Sequence, residues 1–386
     1  MYLFLLGRDS DLSKLEISVY FKANDINYQI VENHYKYLLI DFKQEINLNK
    51  IILELGGITR IAQTFFVSEN VSPSFLSKFD FEFYTNFNFS VSSIDLNNNE
   101  IEQIIYILKQ HFKQEKVKAV YKKPKSENIV SPDDFFSWKL NNNGFELVIV
   151  KAHGKYYFSK SLFCFDSKLN VFKDTKRPSI KQLYSTSFRL SQIMINILGL
   201  KKGKTILDPF CGAGTFLIQG LCLGYNVIGI DKDTEMCKTA KDNVLWAIKQ
   251  FNLKNSFKII NGDATSLNIT ADGVVFEPYM GPFLNKLPSS GTAKAILKQL
   301  NSLYFDLFKN LSNNLKTGTR IVCILPEFKT NNNKIYGIYK NVYEKNNFGL
   351  VNVSEINKDL DLKNPIFYTT PSGTKINRYI YVLEKL

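Results

Sequence analysis

The segment ILDPFCGAGTFL, Ile206 to Leu217, constrains what this chain can fold into more than any other stretch. An apolar run ends in an acid, Asp208, and a tight loop carrying Gly212 and Gly214 leads into a helix that begins near Thr215. Glycines in such a loop let backbone approach a ligand closely, and open α/β sheets bind ligands outside the carboxyl ends of their strands. The chain continues as NVIGIDKD, EMCKTAKDNVLWAIKQF, FKIINGDA and DGVVFEPY, a strand–helix alternation that predicts βαβ units on a parallel sheet. Just upstream, Leu190, Ile193, Met194, Ile197 and Leu198 form one apolar helical face closed by Gly199. Downstream, GLVNVSEIN and INRYIYVLEKL predict a terminal antiparallel pair after the strand TRIVCILPEF.

The spacing of the loop narrows its ligand. It is not G-x-G-x-x-G, which disfavours a dinucleotide, and no Gly-Lys-Ser/Thr follows to grip a phosphate. Asp208 beside the loop favours a cation instead. Asp231 closes the second strand, where an acid is placed to accept from ribose hydroxyls. Asp263 closes the third, where a carboxylate can accept from an adenine amine. A single aspartate at a strand end is more often a turn or helix cap. Three in register after a glycine-rich loop describe S-adenosylmethionine.

On these residues, DPFCGAGT together with the upstream DTKRPSIKQLYSTSFRLSQIMINI and DNVLWAI, the chain resembles the class I S-adenosylmethionine-dependent methyltransferases. More narrowly it resembles the THUMP-domain tRNA guanine-N2 methyltransferases, with FLLGRDSDLSKLEISVYF, LGGITRIAQ and FSVSSIDL matching the N-terminal half in their order. The resemblance implies an α/β fold: a Rossmann-like class I methyltransferase sheet, mostly parallel with a C-terminal antiparallel strand, preceded by an α+β, THUMP-containing N-terminal region. The implied domains are a ferredoxin-like α+β region over 1–60, a THUMP-like RNA-binding domain over 61–168, a linker over 169–184 and the methyltransferase domain over 185–386. The cofactor loop carries over as Asp208, Pro209, Phe210, Cys211, Gly212, Gly214 and Thr215. Asp231 becomes the ribose acid, Asp263 with Ala264 the adenine contact, and S-adenosyl-L-methionine the cofactor.

The family's Asp/Asn-Pro-Pro-Tyr tetrad falls on Glu277-Pro278-Tyr279-Met280, which departs from it at three positions. The implied catalytic residues are Glu277, Pro278 and Tyr279. An exocyclic base amine is a poor nucleophile because its lone pair is delocalised into the ring. Accepting both N–H hydrogens, from a carboxylate and a backbone carbonyl, draws the nitrogen toward tetrahedral geometry for in-line attack on the sulfonium methyl. The base must leave any stacked helix to reach such a site. Glu277 keeps the acceptor with one extra methylene, Pro278 keeps the turn, and Tyr279 offers an aromatic one position early. Met280 can pack softly against a base.

The N-terminal half alternates short strands and helices, as one or two small α+β modules would. DSDLSKLEISVYFKAN predicts a helix with a capping box at Ser13 and Glu16, and Gly56-Gly57 a helix end before a strand. Ile101, Ile104, Ile105, Leu108 and Phe112 recur at helical spacing. The basic segment HFKQEKVKAVYKKPK supplies Lys116, Lys118, Lys122, Lys123 and Lys125 as candidate RNA-phosphate contacts, with Lys176 and Arg177 further on. A lysine run is more often a solvated face, but this one is interleaved with Tyr121. The net charge of +13 points the same way. Its weight is reduced by the accompanying wealth of Asn, Ile, Phe and Tyr, a composition that AT-rich coding produces without any partner.

The 5 cysteines include no CxxC pair and the 3 histidines are scattered, which argues against a zinc site or a disulfide framework and fits a reducing cytoplasm. The apolar start lacks the basic flank of a secretory signal, and no run approaches the roughly 18–20 apolar residues of a membrane span. The expectation is a cytoplasmic enzyme that methylates the N2 amine of a guanosine in tRNA, position 10 being the site the family suggests. It acts as a monomer or, like some relatives, with a small helper subunit. The alternatives are methylation of a base amine in ribosomal RNA or DNA, and a non-catalytic RNA-binding scaffold.

Overall fold

The computed structural model describes residues 1–79, 86–125, 127–179, 186–369 and 375–386. These form two compact units: Met1–Ser10, Ile26–Glu54 and Ile58–Leu169 in one, and Asp11–Asp25, Leu55–Gly57 and Asn170–Leu386 in the other.

The first unit is a single mixed sheet of β1 (Tyr2–Leu6), β2 (Tyr28–Asn33), β3 (Tyr37–Phe42), β4 (Ile58–Ser68), β5 (Asn86–Ile94), β6 (Lys118–Tyr121), β7 (Gly144–Ala152) and β8 (Lys155–Cys164), in the order β2-β3-β1-β4-β8-β7-β5-β6. β4 pairs with both β1 and β8. The boundary expected at residues 60 and 61 therefore falls inside β4, and the two expected modules share one sheet. The α-helix Asn98–Gln114 buries Ile101, Ile104, Ile107, Leu108 and Phe112, while Ile105 is only partly buried. Its capping box is Asn97 with Glu100, the Asn97 side chain accepting from Glu100 N at 3.0 Å and Glu100 Oε2 from Asn97 N at 2.7 Å. An ion pair, Arg60 with Glu146, lies buried in this unit, where Ser92 and Ser161 also donate to the carboxylate.

The second unit holds the sheet expected from the strand–helix alternation. Its strands are β9 (Thr205–Asp208), β10 (Asn226–Asp231), β11 (Phe257–Asn261), β12 (Gly273–Phe276), β13 (Arg320–Lys329), β14 (Ile335–Gly337), β15 (Phe348–Leu350), β16 (Ile366–Tyr368) and β17 (Ile376–Lys385). The order is β11-β10-β9-β12-β13-β17-β15, with β14 on β13 and β16 on β17. β9 to β13 run parallel, and β17 inserts antiparallel between β13 and β15. The helices of this unit are α1 (Ser10–Ala23), α2 (Lys168–Lys176), α3 (Phe188–Ile197), α4 (Thr215–Cys222), α5 (Thr234–Phe251), α6 (Ser290–Asn314) and the short α7 (Asn341–Glu344). Of the expected linker, 169–176 are helical within α2 and 180–184 lie outside the described residues.

Helix α1 corrects one expectation. It starts at Ser10, so Ser13 and Glu16 lie inside it and form no capping box. Glu16 is fully buried and accepts from Gly56 N at 2.9 Å, Gly57 N at 2.6 Å and Asn196 Nδ2 at 2.7 Å. Arg189 Nε donates to Gly56 O at 2.6 Å. A Cβ on Gly57 would lie 2.7 Å from the Glu16 carboxylate, so only glycine lets the amide approach this closely.

Candidate active site

The carboxyl ends of β9, β10, β11 and β12 lie side by side in the second unit, and each ends in or runs on to an acid: Asp208, Asp231, Asp263 and Glu277. The glycine-rich loop is built between the first two. Cys211 N donates to Ile230 O at 2.8 Å and Gly214 N to Cys211 O at 2.7 Å, a tight turn that puts Gly212 and Gly214 at φ of 47° and 84°. A side chain is strained at both positions. Gly212 N then donates to Asp231 Oδ2 at 2.9 Å, tying the loop to the end of β10. Asn243 on α5 holds the far side, donating to Ala213 O at 3.0 Å and Ser179 O at 3.2 Å and accepting from Ser179 N at 3.1 Å. Thr215, at the start of α4, accepts from Arg177 at 3.1 Å, and Phe210 packs on Phe276 with ring centroids 5.8 Å apart.

Asp208 is buried, with one oxygen accepting from Phe210 N at 3.0 Å. Burial pushes its carboxyl up to about 8, and the negative charges of Asp231 and Glu277 push in the same direction. A cation arriving here relieves both, which is the fit a sulfonium or ammonium group requires. Asp263 is held below the usual carboxylate range by Thr265, whose backbone N–H and hydroxyl donate at 2.9 and 2.8 Å. Ala264 O accepts from Asn310 at 2.8 Å. Asp208, Asp231, the glycine loop and Glu277 are thus brought together, and Asp263 with Ala264 stands at the end of the neighbouring strand.

Glu277 follows β12. Its Oε2 accepts from the Thr186 hydroxyl, and its Oε1 lies 3.2 Å from a guanidinium nitrogen of Arg378 on β17. The latter is an ion pair without hydrogen-bond alignment, so Oε1 is buried yet accepts no hydrogen bond among the described residues. Burial raises the Glu277 carboxyl, and Arg378 and Thr186 act against that. Pro278 is buried. Tyr279 exposes 57% of its surface, while its carbonyl accepts from the buried Tyr304 hydroxyl at 2.7 Å. Sequence reasoning gave no role to Thr186, inside the quoted DTKRPSIKQLYSTSFRLSQIMINI, or to Arg378, inside INRYIYVLEKL. Asn243 sat inside the quoted DNVLWAI without a role.

Among the basic candidates, Lys116, Lys118, Lys123, Lys125 and Lys176 are exposed and Lys122 half-buried. Lys125 spends its charge on Asp134, at 2.5 Å. Arg177 is a correction: only 4% exposed, it points to Thr215 and stacks over Phe188 rather than offering its guanidinium to solvent. Among the described residues no cluster of His, Cys, Asp and Glu could hold a metal, and no helix is long and apolar enough to cross a membrane.

Residues 185–354 match the RMKL-like methyltransferase domain family, and residues 72–242 match a DNA methylase family, the two overlapping on the glycine loop. The chain is 29% identical over 146 residues to a tRNA (guanine(10)-N2)-dimethyltransferase of Methanothermobacter thermautotrophicus, covering 37% of this chain and 39% of that one. It is 28% identical over 198 residues to a probable enzyme of the same name from Methanothermococcus thermolithotrophicus, covering 51% of this chain and 98% of that one. The chain thus spans well under half the length of the first of these relatives. Among solved structures it is similar to TrmN from Thermus thermophilus, with a TM-score of 0.57 at 15% identity over 100% of this chain and 99% of that one. The fold is that of the class I methyltransferases.

Proposed function

We propose that this chain, a relative of the tRNA (guanine-N2) methyltransferases on the class I methyltransferase fold, methylates the exocyclic N2 amine of a guanosine in tRNA, at position 10 as its relatives' names suggest. The observation that carries this reading is the buried Glu277 acceptor beside Asp208 and the glycine loop. Asp208, Gly212, Gly214, Asp231, Asp263 and Ala264 are the residues that would hold S-adenosylmethionine, which supplies an electrophilic methyl group when bound. Glu277 Oε1 accepts one N–H of the base amine and takes the proton that the nitrogen sheds. The backbone carbonyl at Pro278 is the second acceptor we assign, since that of Tyr279 is already engaged by Tyr304. The exposed Tyr279 ring offers the extruded base a stacking face.

Lys116, Lys118, Lys122, Lys123 and Lys176 are the phosphate contacts we assign, with the first unit serving as a THUMP-like grip on the tRNA. This reading places the enzyme in a reducing cytoplasm. One observation favours a catalytically silent RNA-binding scaffold instead: Arg378 already sits on the acceptor carboxylate. Incubation with unmodified tRNA and methyl-labelled S-adenosylmethionine, followed by nucleoside mass spectrometry, separates the two. Labelled N2-methylguanosine is the expected product. Unlabelled tRNA from protein that still binds the cofactor in calorimetry would overturn the reading.

A further inference from the structure

We infer that Arg378 is a positioning residue that keeps Glu277 an ionised hydrogen-bond acceptor with Oε1 available to a base amine. This rests on the methyltransferase reading. The place of the guanidinium is dictated by the sheet: Arg378 lies opposite Pro326 on β13 and Tyr368 on β16, so its strand is held from both sides. The pair is asymmetric. Thr186 takes Oε2 and fixes the carboxylate's orientation, while Arg378 balances its charge from 3.2 Å without an aligned hydrogen bond. Among the described residues nothing donates to Oε1, which therefore keeps its lone pairs in a site buried from water. An unsatisfied buried acceptor is costly, and its persistence beside a cation that could be aligned to it marks a place for an arriving donor.

Four of the described residues face Glu277. Thr186 precedes α3, Asp208 ends β9, Tyr304 projects from α6, and Arg378 comes from β17. The charge of Glu277 opposes ionisation of Asp208, and Arg378 supplies the cation among these groups. Without it, burial drives a proton onto Glu277. A protonated carboxyl donates from one oxygen, and its remaining carbonyl oxygen accepts from an amine far more weakly than a carboxylate does.

The test is a 13C titration of the protein labelled at glutamate carboxyls, with the Glu277 resonance identified by its loss in Glu277→Gln. In Arg378→Gln the midpoint should rise by about 1–3 pH units, the usual influence of one close opposite charge. Arg378→Lys should restore most of it. An unmoved midpoint in a folded Arg378→Gln would overturn the inference, whether or not the wild type methylates tRNA. Kinetics add a second reading. Arg378→Gln should lower kcat at pH 7, with recovery at higher pH and an unchanged KM for tRNA. A raised KM with kcat intact would make Arg378 a substrate contact and overturn the inference as well. Wild-type protein that leaves tRNA unlabelled would sink the methyltransferase reading itself, and the titration would still report on Arg378.

Discussion

Asn243 donates its side-chain amide to the carbonyl of Ala213 at 3.0 Å, so the glycine-rich loop is anchored by a residue of a helix that begins after the next strand. The same side chain makes two further bonds to the backbone of Ser179. Asn243 is fully buried, and water cannot replace it. Asn243→Ala should cost about 1–3 kcal/mol for each polar group left unsatisfied. An equilibrium urea titration should show a lower midpoint with an unchanged slope.

Asp208 makes the affinity for a cationic cofactor depend on pH. With its carboxyl pushed up to about 8, much of the free protein carries a proton there at pH 7. Binding a cation favours the ionised form, so the proton is released. Calorimetry of S-adenosylmethionine binding at pH 7, in two buffers of different ionisation enthalpy, should show net proton release and an affinity that climbs as pH rises toward 8. Asp208→Ala should abolish binding.

Glu16 sets a slope in stability. Its carboxyl is raised from 4.5 to about 7 by burial, against the pull of its three donors. Between those values the folded chain holds a proton that the unfolded chain has lost. The contribution is therefore fully present below pH 4.5 and is lost as pH rises through 7, an effect of about 3 kcal/mol at 1.36 kcal/mol per unit. Urea midpoints measured across that range should fall with rising pH in the wild type. Glu16→Gln should lack this component of the slope.

Removing the acceptor should separate chemistry from binding. Glu277→Ala is expected to lower single-turnover methylation by about 100-fold or more. Its affinity for tRNA in filter binding should stay within a factor of about two, because phosphate contacts supply most of that affinity. Full activity in this variant would show that Glu277 is not the acceptor.

Much of the site was legible because its signals are local. The run into Asp208 and the glycines at 212 and 214 state a strand, a turn and a helix start within one segment. The acids at 231, 263 and 277 recur at strand ends for the same reason. The misreadings also came from local pattern. Ser13 and Glu16 have the spacing of a capping box, yet the acid is used by the amides of Gly56 and Gly57, at sequence separations of 40 and 41. Arg177 reads as an exposed base in a polar bridge, but just past the end of α2 it lies buried against Thr215.

The sequence by itself determined the parallel βαβ alternation, the glycine turn and the row of strand-end acids, because these depend on side-chain periodicity and on backbone conformations that glycine adopts most readily. The tertiary structure alone decided what Glu277 touches. Thr186 reaches it from before α3, at a separation of 91 residues, and Arg378 from β17, a strand inserted antiparallel beside β13. Neither meeting leaves a trace in local pattern. It follows from the order in which strands pair, which is settled by packing of the whole sheet and not by any single segment.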